Sequence, residues 1–327
     1  MDVSTLPASV TVRPASLDDV KALVALFAAR DRELGIDPER TEEDFTHDFE
    51  APGIDLQRDT RVALTTTGEL VSYALVDQQQ YVHIFMNLET RADYRESGLA
   101  DAMLEWAETR AREYIAQAPE GLRVTLRNGC DVRSTSRQRL LERHGYQAVR
   151  RFYNMKIELA EPLQQPIWPA DIRVQNMQPG MERAVFEADN EAFRDHWGFV
   201  QDTFEEWSHH AFNPRRYDPT LWFLAMDGEE IAGFVFCAKE DENEGWVHVL
   251  GVRRPWRRKG IAQALLHEAF NAFYQRGIHN VLLGVDASSL TGALRVYERA
   301  GMHAVREFLT YRKELRPGIE PGTEELA

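Results

Sequence analysis

The chain has 327 residues, enough for two domains of ordinary size, and its hydrophobic content of 43% is that of a globular protein with a buried core. Its net charge of −15 argues against a general nucleic-acid binder, because such proteins present a broad basic face to phosphates. Two distant cysteines, no apolar stretch of the roughly 20 residues that span a membrane and no secretory signal favour a soluble, cytoplasmic protein without membrane partners.

The sequence repeats itself in two separate pairs of windows. RLLERHGYQAVRRF (139–152) agrees with RVYERAGMHAVREF (295–308) at eight of fourteen positions. RESGLADAMLEWA (95–107) likewise matches RRKGIAQALLHEA (257–269), in the same order and at nearly the same offset. Similarity that keeps its order and offset across two windows indicates a duplicated domain.

The duplication predicts where the domains begin and end. Residues 1–159 form the predicted first domain. The segment AEPLQQPIWPAD (160–171) has three prolines and no hydrophobic period, which is typical of a linker. The second domain is predicted over 172–315, and the Pro/Gly-rich acidic segment 316–327 is predicted to be a flexible tail.

The hydrophobic pattern of the second copy predicts alternating strands and helices, and the first copy shows the same order. The predicted elements are strands at 172–174, 221–226, 231–238, 246–252, 280–285 and 308–315, with helices at about 181–193, after Gly260 and at 292–300. Asp227-Gly228 marks a hairpin turn between the second and third strands. The fold class is therefore α/β with a mixed (α+β) sheet.

A strongly basic loop, VRRPWRRKG at 252–260, joins a predicted strand to a predicted helix. A helix N-terminus presents free N–H groups and the positive end of the helix dipole, for which phosphate is a natural ligand. Gly260 lets the backbone approach a bulky anion, and Ala262 keeps the first helical turn thin. The alternative is a solvated basic loop without a ligand. The spacings of the triphosphate and dinucleotide motifs are absent, and a diphosphate fits the loop.

Two motifs carry a family resemblance. Arg257-x-x-Gly260-x-Ala262 follows an apolar strand, and LLGVDASSLTGALRVYERAGM (282–302) combines a strand, a polar loop and a helix with a tyrosine before its glycine. Together they resemble the acetyl-CoA-binding motifs of the GCN5-related N-acetyltransferase (GNAT) family. The resemblance implies two tandem acyl-CoA N-acyltransferase folds, acetyl-CoA as co-substrate and no metal.

The resemblance also implies which residues contact the cofactor. Backbone groups of Leu250, Gly251 and Val252 would bind the pantetheine arm. Backbone N–H groups of the basic loop and the first helical turn would bind the pyrophosphate; these belong to Arg257, Arg258, Lys259, Gly260, Ile261, Ala262 and Gln263. Ser289 stands where many relatives carry Asn, near the thiol end of the cofactor.

Catalysis of acetyl transfer needs a proton donor for the leaving thiolate and a base for the amine. Tyr297 takes the position of the tyrosine that usually protonates the sulfur in relatives, and its ordinary pKa of about 10 keeps it protonated at neutral pH. The alternative is a core tyrosine packed beneath Gly301. Glu244 and His248 are the two candidates for the base, and each is alternatively a structural residue.

Two further segments bear on the acceptor site. By strand alternation, Trp246, His248 and Leu250 are expected to share one face. In FRDHWGF (193–199), a region that shapes the acceptor pocket in relatives, Asp195, His196 and Trp197 either bind a polar acceptor or form a helix end with a packed tryptophan.

The first copy departs from the motif. Glu96-Ser97 replaces Arg258-Lys259, and Leu141, which cannot donate a proton, replaces Tyr297. Arg95, Gly98 and Ala100 of the first motif are retained. We therefore expect a degenerate first domain that is structural or at most binds CoA, and a catalytic second domain.

These expectations lead to one main function and two alternatives. The main one is acetyl-CoA-dependent N-acetylation of a primary amine on a small molecule. The alternatives are a non-catalytic acyl-CoA-binding or regulatory module and a protein N-acetyltransferase. The tandem layout is similar to that of the mycothiol synthases within the family, although Trp246 stands where that group carries an acidic residue. A monomer with an internal pseudo-dimer is expected, because the duplication replaces a dimer.

Overall fold

A computed structural model of the chain describes residues 10–289 and 292–322, which divide into two compact units. Of the described residues, the first unit holds 10–149 and 308–321, and the second holds 150–289, 292–307 and Gly322. The strands are β1 (Val10–Arg13), β2 (Thr60–Thr65), β3 (Leu70–Gln79), β4 (His83–Thr90), β5 (Val124–Asp131), β6 (Gln147–Glu158), β7 (Ile172–Asn176), β8 (Trp222–Asp227), β9 (Glu230–Lys239), β10 (Glu244–Val252), β11 (Asn280–Asp286) and β12 (His303–Arg316). The α-helices are α1 (Val20–Glu33), α2 (Glu42–Phe49), α3 (Leu56–Asp59), α4 (Leu99–Glu113), α5 (Thr135–Arg143), α6 (Glu182–Phe193), α7 (Phe204–Ala211), α8 (Ile261–Gln275) and α9 (Ala293–Arg299).

The last strand of each sequence copy pairs with the strands of the opposite copy. Residues 308–316 of β12 pair antiparallel with β5 in the first unit, and residues 152–158 of β6 pair antiparallel with β11 in the second. The prediction that 308–315 closes the second copy is therefore wrong, and so is the boundary at 159. The hydrophobic pattern predicts that a strand forms but not which edge it joins, and the repeated ends of the two copies suit either edge.

The segment after β12 is tied to the first unit as far as Pro321, which corrects the prediction of a flexible tail over those residues. The N–H of Ile319 donates to the Gly121 carbonyl at 2.8 Å, and the Ile319 carbonyl accepts from the N–H of Arg123 at 2.8 Å. The guanidinium of Arg316 donates to several backbone carbonyls, including that of Leu122. The rest of the predicted tail, 323–327, lies outside the described residues.

The side-chain carboxylate of Glu320, in the segment after β12, lies among basic side chains of the first unit. Glu320 lies 3.2 Å from the ring of buried His83 and 3.3 Å from the guanidinium of Arg123, with Arg127 and Arg312 within 3.9 Å. Burial acts to raise the pKa of Glu320, but the hydrogen bond with His83 and the charges of Arg127 and Arg312 outweigh it and hold the pKa below its usual range. The ionised carboxylate therefore stabilises the first unit.

Glu320→Gln is expected to lower the free energy of unfolding at pH 7 by about 1–3 kcal/mol, because it removes the negative charge that lies among Arg123, Arg127 and Arg312. A carboxyl group whose pKa is lower in the folded state stabilises above its unfolded pKa of about 4.3 and loses that contribution as the pH falls through the folded value. Urea unfolding at pH 7 and pH 3 should thus show a difference that shrinks in acid. The exposed linker residue gives the control, since Glu161→Gln should change neither value.

In the second unit the sheet order is β7-β8-β9-β10-β11-β6, with only β10 and β11 parallel among these described pairs. The predicted hairpin is confirmed as β8 and β9, and the predicted helix after Gly260 as α8. The residues predicted to share one face of α8 are all buried in one core with β9, β10 and β11: Ile261, Leu265, Leu266, Ala269, Phe270 and Phe273. The helix is thereby fixed against the strands that precede and follow it.

Within the described residues, no helix combines the length and the apolar character needed to cross a membrane. Cys130 and Cys237 are both free and buried, and burial raises the pKa of Cys130 to about 11.

Candidate active site

Two neighbouring strands separate in the middle of the second unit and open a cleft. β10 and β11 pair in parallel from Glu244 to Val247, and beyond that point β10 pairs only with β9 among the described residues. The cleft has a volume of about 970 Å³. It is lined by parts of β10 and β11, the basic loop, the first turn of α8, the C-terminal end of α6, and α9. All the predicted catalytic and cofactor-binding residues line it except Glu244 and Lys259. Of the acceptor-site candidates in 193–199, His196 lines it, whereas Asp195 and Trp197 do not.

A β-bulge at His248 shapes the wall that β10 contributes. Val247 pairs with Cys237 and Val249 with Phe236, so His248 is an extra residue without a partner in the register. Val247 and Leu250 consequently pack into the same core cluster, whereas Val249 packs into the cluster on the other face of the sheet. The bulge interrupts the simple alternation from which His248 and Leu250 were expected to share a face, and both residues line the cleft.

The cleft wall requires a glycine at position 251, because the ring of Phe234 lies close to the backbone there. A Cβ atom at Gly251 would lie 2.3 Å from the Phe234 ring, so any other residue would push the ring out of the core. A lone glycine within an apolar strand is a sequence signal for such an approach.

The basic loop enters α8 through a left-handed glycine. Gly260 caps α8 with φ +85°, and a Cβ added there would meet open space. The first unit repeats this geometry, since Gly98 caps α4 with φ 84°. A residue with φ in this range strains any side chain other than glycine, which explains why both copies keep the glycine. The first turn of α8 is left open towards the cleft.

Three of the five basic loop residues are neutralised by carboxylates. Arg253 pairs with Glu191 at 2.7 Å, and Arg254 and Arg257 both pair with Asp195. Arg257 also donates to the carbonyls of Val252 and Ala192, each at 3.0 Å. The arginine of the predicted motif therefore fixes the loop against the end of α6.

The remaining two cations of the loop are unpaired in the part of the chain that is described. Neither Arg258 nor Lys259 makes a hydrogen bond or ion pair with a described residue, and of the two only Arg258 lines the cleft. Arg258 also has φ 62°, a left-handed conformation that costs roughly 1–3 kcal/mol for a residue other than glycine. A strained, unpaired cation at the mouth of a helix N-terminus is well suited to bind an anion.

Tyr297 lies on α9 and lines the cleft opposite the bulge strand. It is 8% exposed, and burial raises the pKa of its hydroxyl to about 12. It makes no hydrogen bond through its side chain to any described residue. The hydroxyl is thus protonated throughout the neutral range and available to a group bound in the cleft.

Of the two candidates for the base, His248 lies in the cleft wall. Its Nε2 is 3.0 Å from the carboxylate of Glu240, which sequence patterns did not single out. Burial acts to raise the pKa of Glu240, but the hydrogen bond with His248 and the charge of Arg216 hold it below its usual range. The ionised Glu240 fixes the orientation of the imidazole. Glu244 begins β10, where its carbonyl accepts the N–H of Glu240.

The end of α6 does not offer Asp195 to an acceptor. Hydrogen bonds from Arg254 and Arg257 hold the pKa of Asp195 far below its usual range, so it is a permanently ionised clamp for the loop. His196 lines the cleft, and burial, followed by the charge of Arg257, lowers its pKa and keeps it neutral at pH 7. Trp197 packs under the guanidinium of Arg150, 5.5 Å from its ring centre.

The first unit keeps the arginine that holds the loop but not the tyrosine. Arg95 donates to the Thr90 carbonyl and pairs with Glu33 at 2.6 Å, just as Arg257 is bound in the second unit. Leu141, at the position of Tyr297, is fully buried. The described residues of neither unit contain a group of three or more His, Cys, Asp or Glu side chains placed to hold a metal ion.

Comparison with known proteins agrees with this geometry. Residues 183–302 match the acetyltransferase (GNAT) family. A mycothiol acetyltransferase of Thermobispora bispora is 29% identical over 54% of this chain and 61% of its own length, so the match spans about three fifths of that relative. One from Geodermatophilus obscurus is 28% identical over 88% of this chain and 92% of its own length.

Solved structures cover more of the chain. A GCN5-related N-acetyltransferase from Sphaerobacter thermophilus is 37% identical, with a TM-score of 0.81 over 97% of this chain and 99% of that one. A tandem GNAT protein from the clavulanic acid biosynthesis pathway is 15% identical, with a TM-score of 0.73 over 94% of this chain and 99% of that one, and shares the fold. Both likenesses extend over the two units of the chain.

Proposed function

Because the chain belongs to the GCN5-related N-acetyltransferase family, we propose that its second unit transfers the acetyl group of acetyl-CoA to a primary amine of a small molecule. One observation carries the proposal: the cleft brings an anion-binding helix N-terminus, a separated strand edge and a protonated tyrosine together. The first unit lacks the tyrosine and is proposed to be structural or at most to bind CoA.

The residues of the cleft suit the parts of the cofactor. The N–H groups from Arg257 to Gln263 would hold the pyrophosphate, where the helix dipole and the unpaired Arg258 favour negative charge. The backbone from Leu250 to Val252, which pairs with β9 but not with β11 among the described residues, would bind the pantetheine arm. Ser289 lines the same cleft and is proposed to lie near the thiol end.

We assign the base to His248 and the acid to Tyr297. His248, oriented by Glu240, takes a proton from the acceptor ammonium, and the free amine attacks the thioester carbonyl carbon. The C–N bond forms, the C–S bond breaks, and Tyr297 gives its proton to the departing sulfur; the second proton that the amine nitrogen loses restores the Tyr297 hydroxyl. His248 replaces the acidic residue of the tandem relatives, at whose position Trp246 lies with its ring 6.2 Å from that of His248.

The acceptor is proposed to be a small molecule because the relatives that match along most of the chain are named for acetylation of mycothiol. The proposal is tested by following thiol release from acetyl-CoA with a panel of amines, with a peptide N-terminus included. Release with a small amine supports the assignment. Tight CoA binding without release from any amine would instead favour a regulatory module, and release only with the peptide would favour a protein acetyltransferase.

Arg258→Gly is expected to weaken CoA binding roughly tenfold, because it removes a charged hydrogen-bond donor worth about 1.5–3 kcal/mol while relieving the backbone strain. Calorimetry at low and high salt should show that the variant loses part of the salt dependence. Lys259→Gly keeps the backbone N–H and removes a cation outside the cleft lining, so it should change the affinity less. A larger effect at Lys259 would contradict the assignment of Arg258.

A further inference from the structure

The second unit contains another cavity, outside the cleft, against the C-terminal half of α8. Its volume is about 440 Å³, within the range of about 300–1,000 Å³ that small-molecule sites occupy. Helix residues at spacings of three and four form one side, since such residues share a helix face. The lining residues are Gln165, Thr220, Phe223, Glu268, Asn271, Ala272, Gln275 and Arg276.

Asn271 is the residue that points to a ligand. It is 6% exposed, and neither its amide nitrogen nor its amide oxygen has a hydrogen-bond partner among the described residues. Its neighbours Phe270 and Phe273 belong to the apolar core. An unsatisfied buried amide destabilises a fold, so a polar residue here needs a partner that enters from the cavity.

The charges around the cavity disfavour an anion. Glu268 makes no hydrogen bond or ion pair with a described residue, and burial raises its pKa. Arg276 is already engaged, because it donates to the Thr220 hydroxyl at 2.5 Å and lies 3.9 Å from Asp218. Because the Glu268 carboxylate is an acceptor unpaired among the described residues and Arg276 is already paired, the cavity favours a ligand that brings hydrogen-bond donors.

The remaining lining residues indicate the chemical class of the ligand. The amides of Gln165, Asn271 and Gln275 each donate and accept hydrogen bonds, as hydroxyl groups do. Phe223 is buried at the cavity wall beside Ala272 and offers an apolar surface for C–H groups. The rim residues Gln165 and Gln275 are exposed, so the cavity is accessible from solvent.

We propose that this cavity binds a polyhydroxylated ring compound of monosaccharide size, with its hydroxyls on Asn271 and Glu268 and its C–H face on Phe223. The site is separate from the proposed cofactor site, which takes the first turn of α8, whereas Glu268 to Arg276 lie at the other end of the helix. Binding here does not depend on the acetyl-transfer assignment.

Ligand-observed NMR with glucose as the probe tests the proposal on the full chain saturated with CoA. Glucose should give saturation transfer, and Asn271→Leu should weaken its binding roughly tenfold or more. The unfolding midpoint of Asn271→Leu should equal or exceed that of the parent, because an unsatisfied amide is replaced by an apolar group among apolar neighbours. Asn190→Leu makes the same change on α6, outside the lining of both cavities, and should leave glucose binding unchanged.

Glucose 6-phosphate separates hydroxyl recognition from anion binding. It should bind more weakly than glucose, and Glu268→Gln should reduce that difference. Absence of saturation transfer from glucose, binding that persists equally in Asn271→Leu, or tighter binding of the phosphate ester would each overturn the proposal. None of these results depends on whether acetyl transfer is observed.

Discussion

Tyr297→Phe is expected to lower kcat for acetyl transfer by roughly 10²- to 10⁴-fold, the usual contribution of a positioned acid, and to leave CoA affinity nearly unchanged. The substitution removes only a hydroxyl, so the buried ring continues to fill the core beneath the cleft. Without the hydroxyl of Tyr297, the thiolate of CoA must leave unprotonated or take a proton from water. The measurement is thiol release under saturating acetyl-CoA and amine, together with calorimetric binding of CoA.

The first unit supplies the control for this prediction. Tyr146 is another buried tyrosine and does not line the cleft, so Tyr146→Phe removes the same hydroxyl at a different place. Its kcat should equal that of the parent. If Tyr297→Phe also keeps the parent's kcat, the residue is a packing tyrosine and the proton must come from elsewhere.

Gly260→Glu is expected to weaken CoA binding by roughly a hundredfold, about 2.8 kcal/mol, and to abolish turnover at ordinary cofactor concentrations. The backbone at φ +85° strains any side chain, and the new carboxylate would extend into the open space before α8, where it repels phosphate. Calorimetry measures the affinity, and a thermal scan shows whether the unit stays folded.

Gly98→Glu is the matched variant, since Gly98 caps α4 with nearly the same φ. It carries the same strain and charge into the first unit, so comparable losses of stability and unchanged CoA binding are expected. If Gly98→Glu removes the binding and Gly260→Glu does not, the first unit holds the cofactor, and the assignment of catalysis to the second must be abandoned.

The local patterns of the sequence predicted the elements of the site well because their causes are local. A glycine before an apolar period of three and four residues was enough to predict α8 and its buried face. An Asp-Gly pair between two apolar runs likewise predicted the turn between β8 and β9. In each case the residues that determine the structure lie within a few positions of one another.

The missed features have causes that are distant in sequence. Asp195 becomes a clamp because Arg254 and Arg257, about 60 positions later, fold back onto the end of α6. The bulge at His248 lies in a run of good strand formers that gives no sign of an extra residue. Glu240 acquires its role only once that bulge turns His248 towards it.

Because β12 pairs with β5 and β6 pairs with β11, the order in which the chain is synthesised affects its folding. The edge of β5 is covered by residues 308–316, which are translated long after β5, so the first half of the chain leaves the ribosome with an exposed strand edge. That edge stays available for wrong pairing until residues 308–316 have also been made. A gene cut between the repeats would therefore not yield two independent proteins, since each product would carry the strand that the other needs.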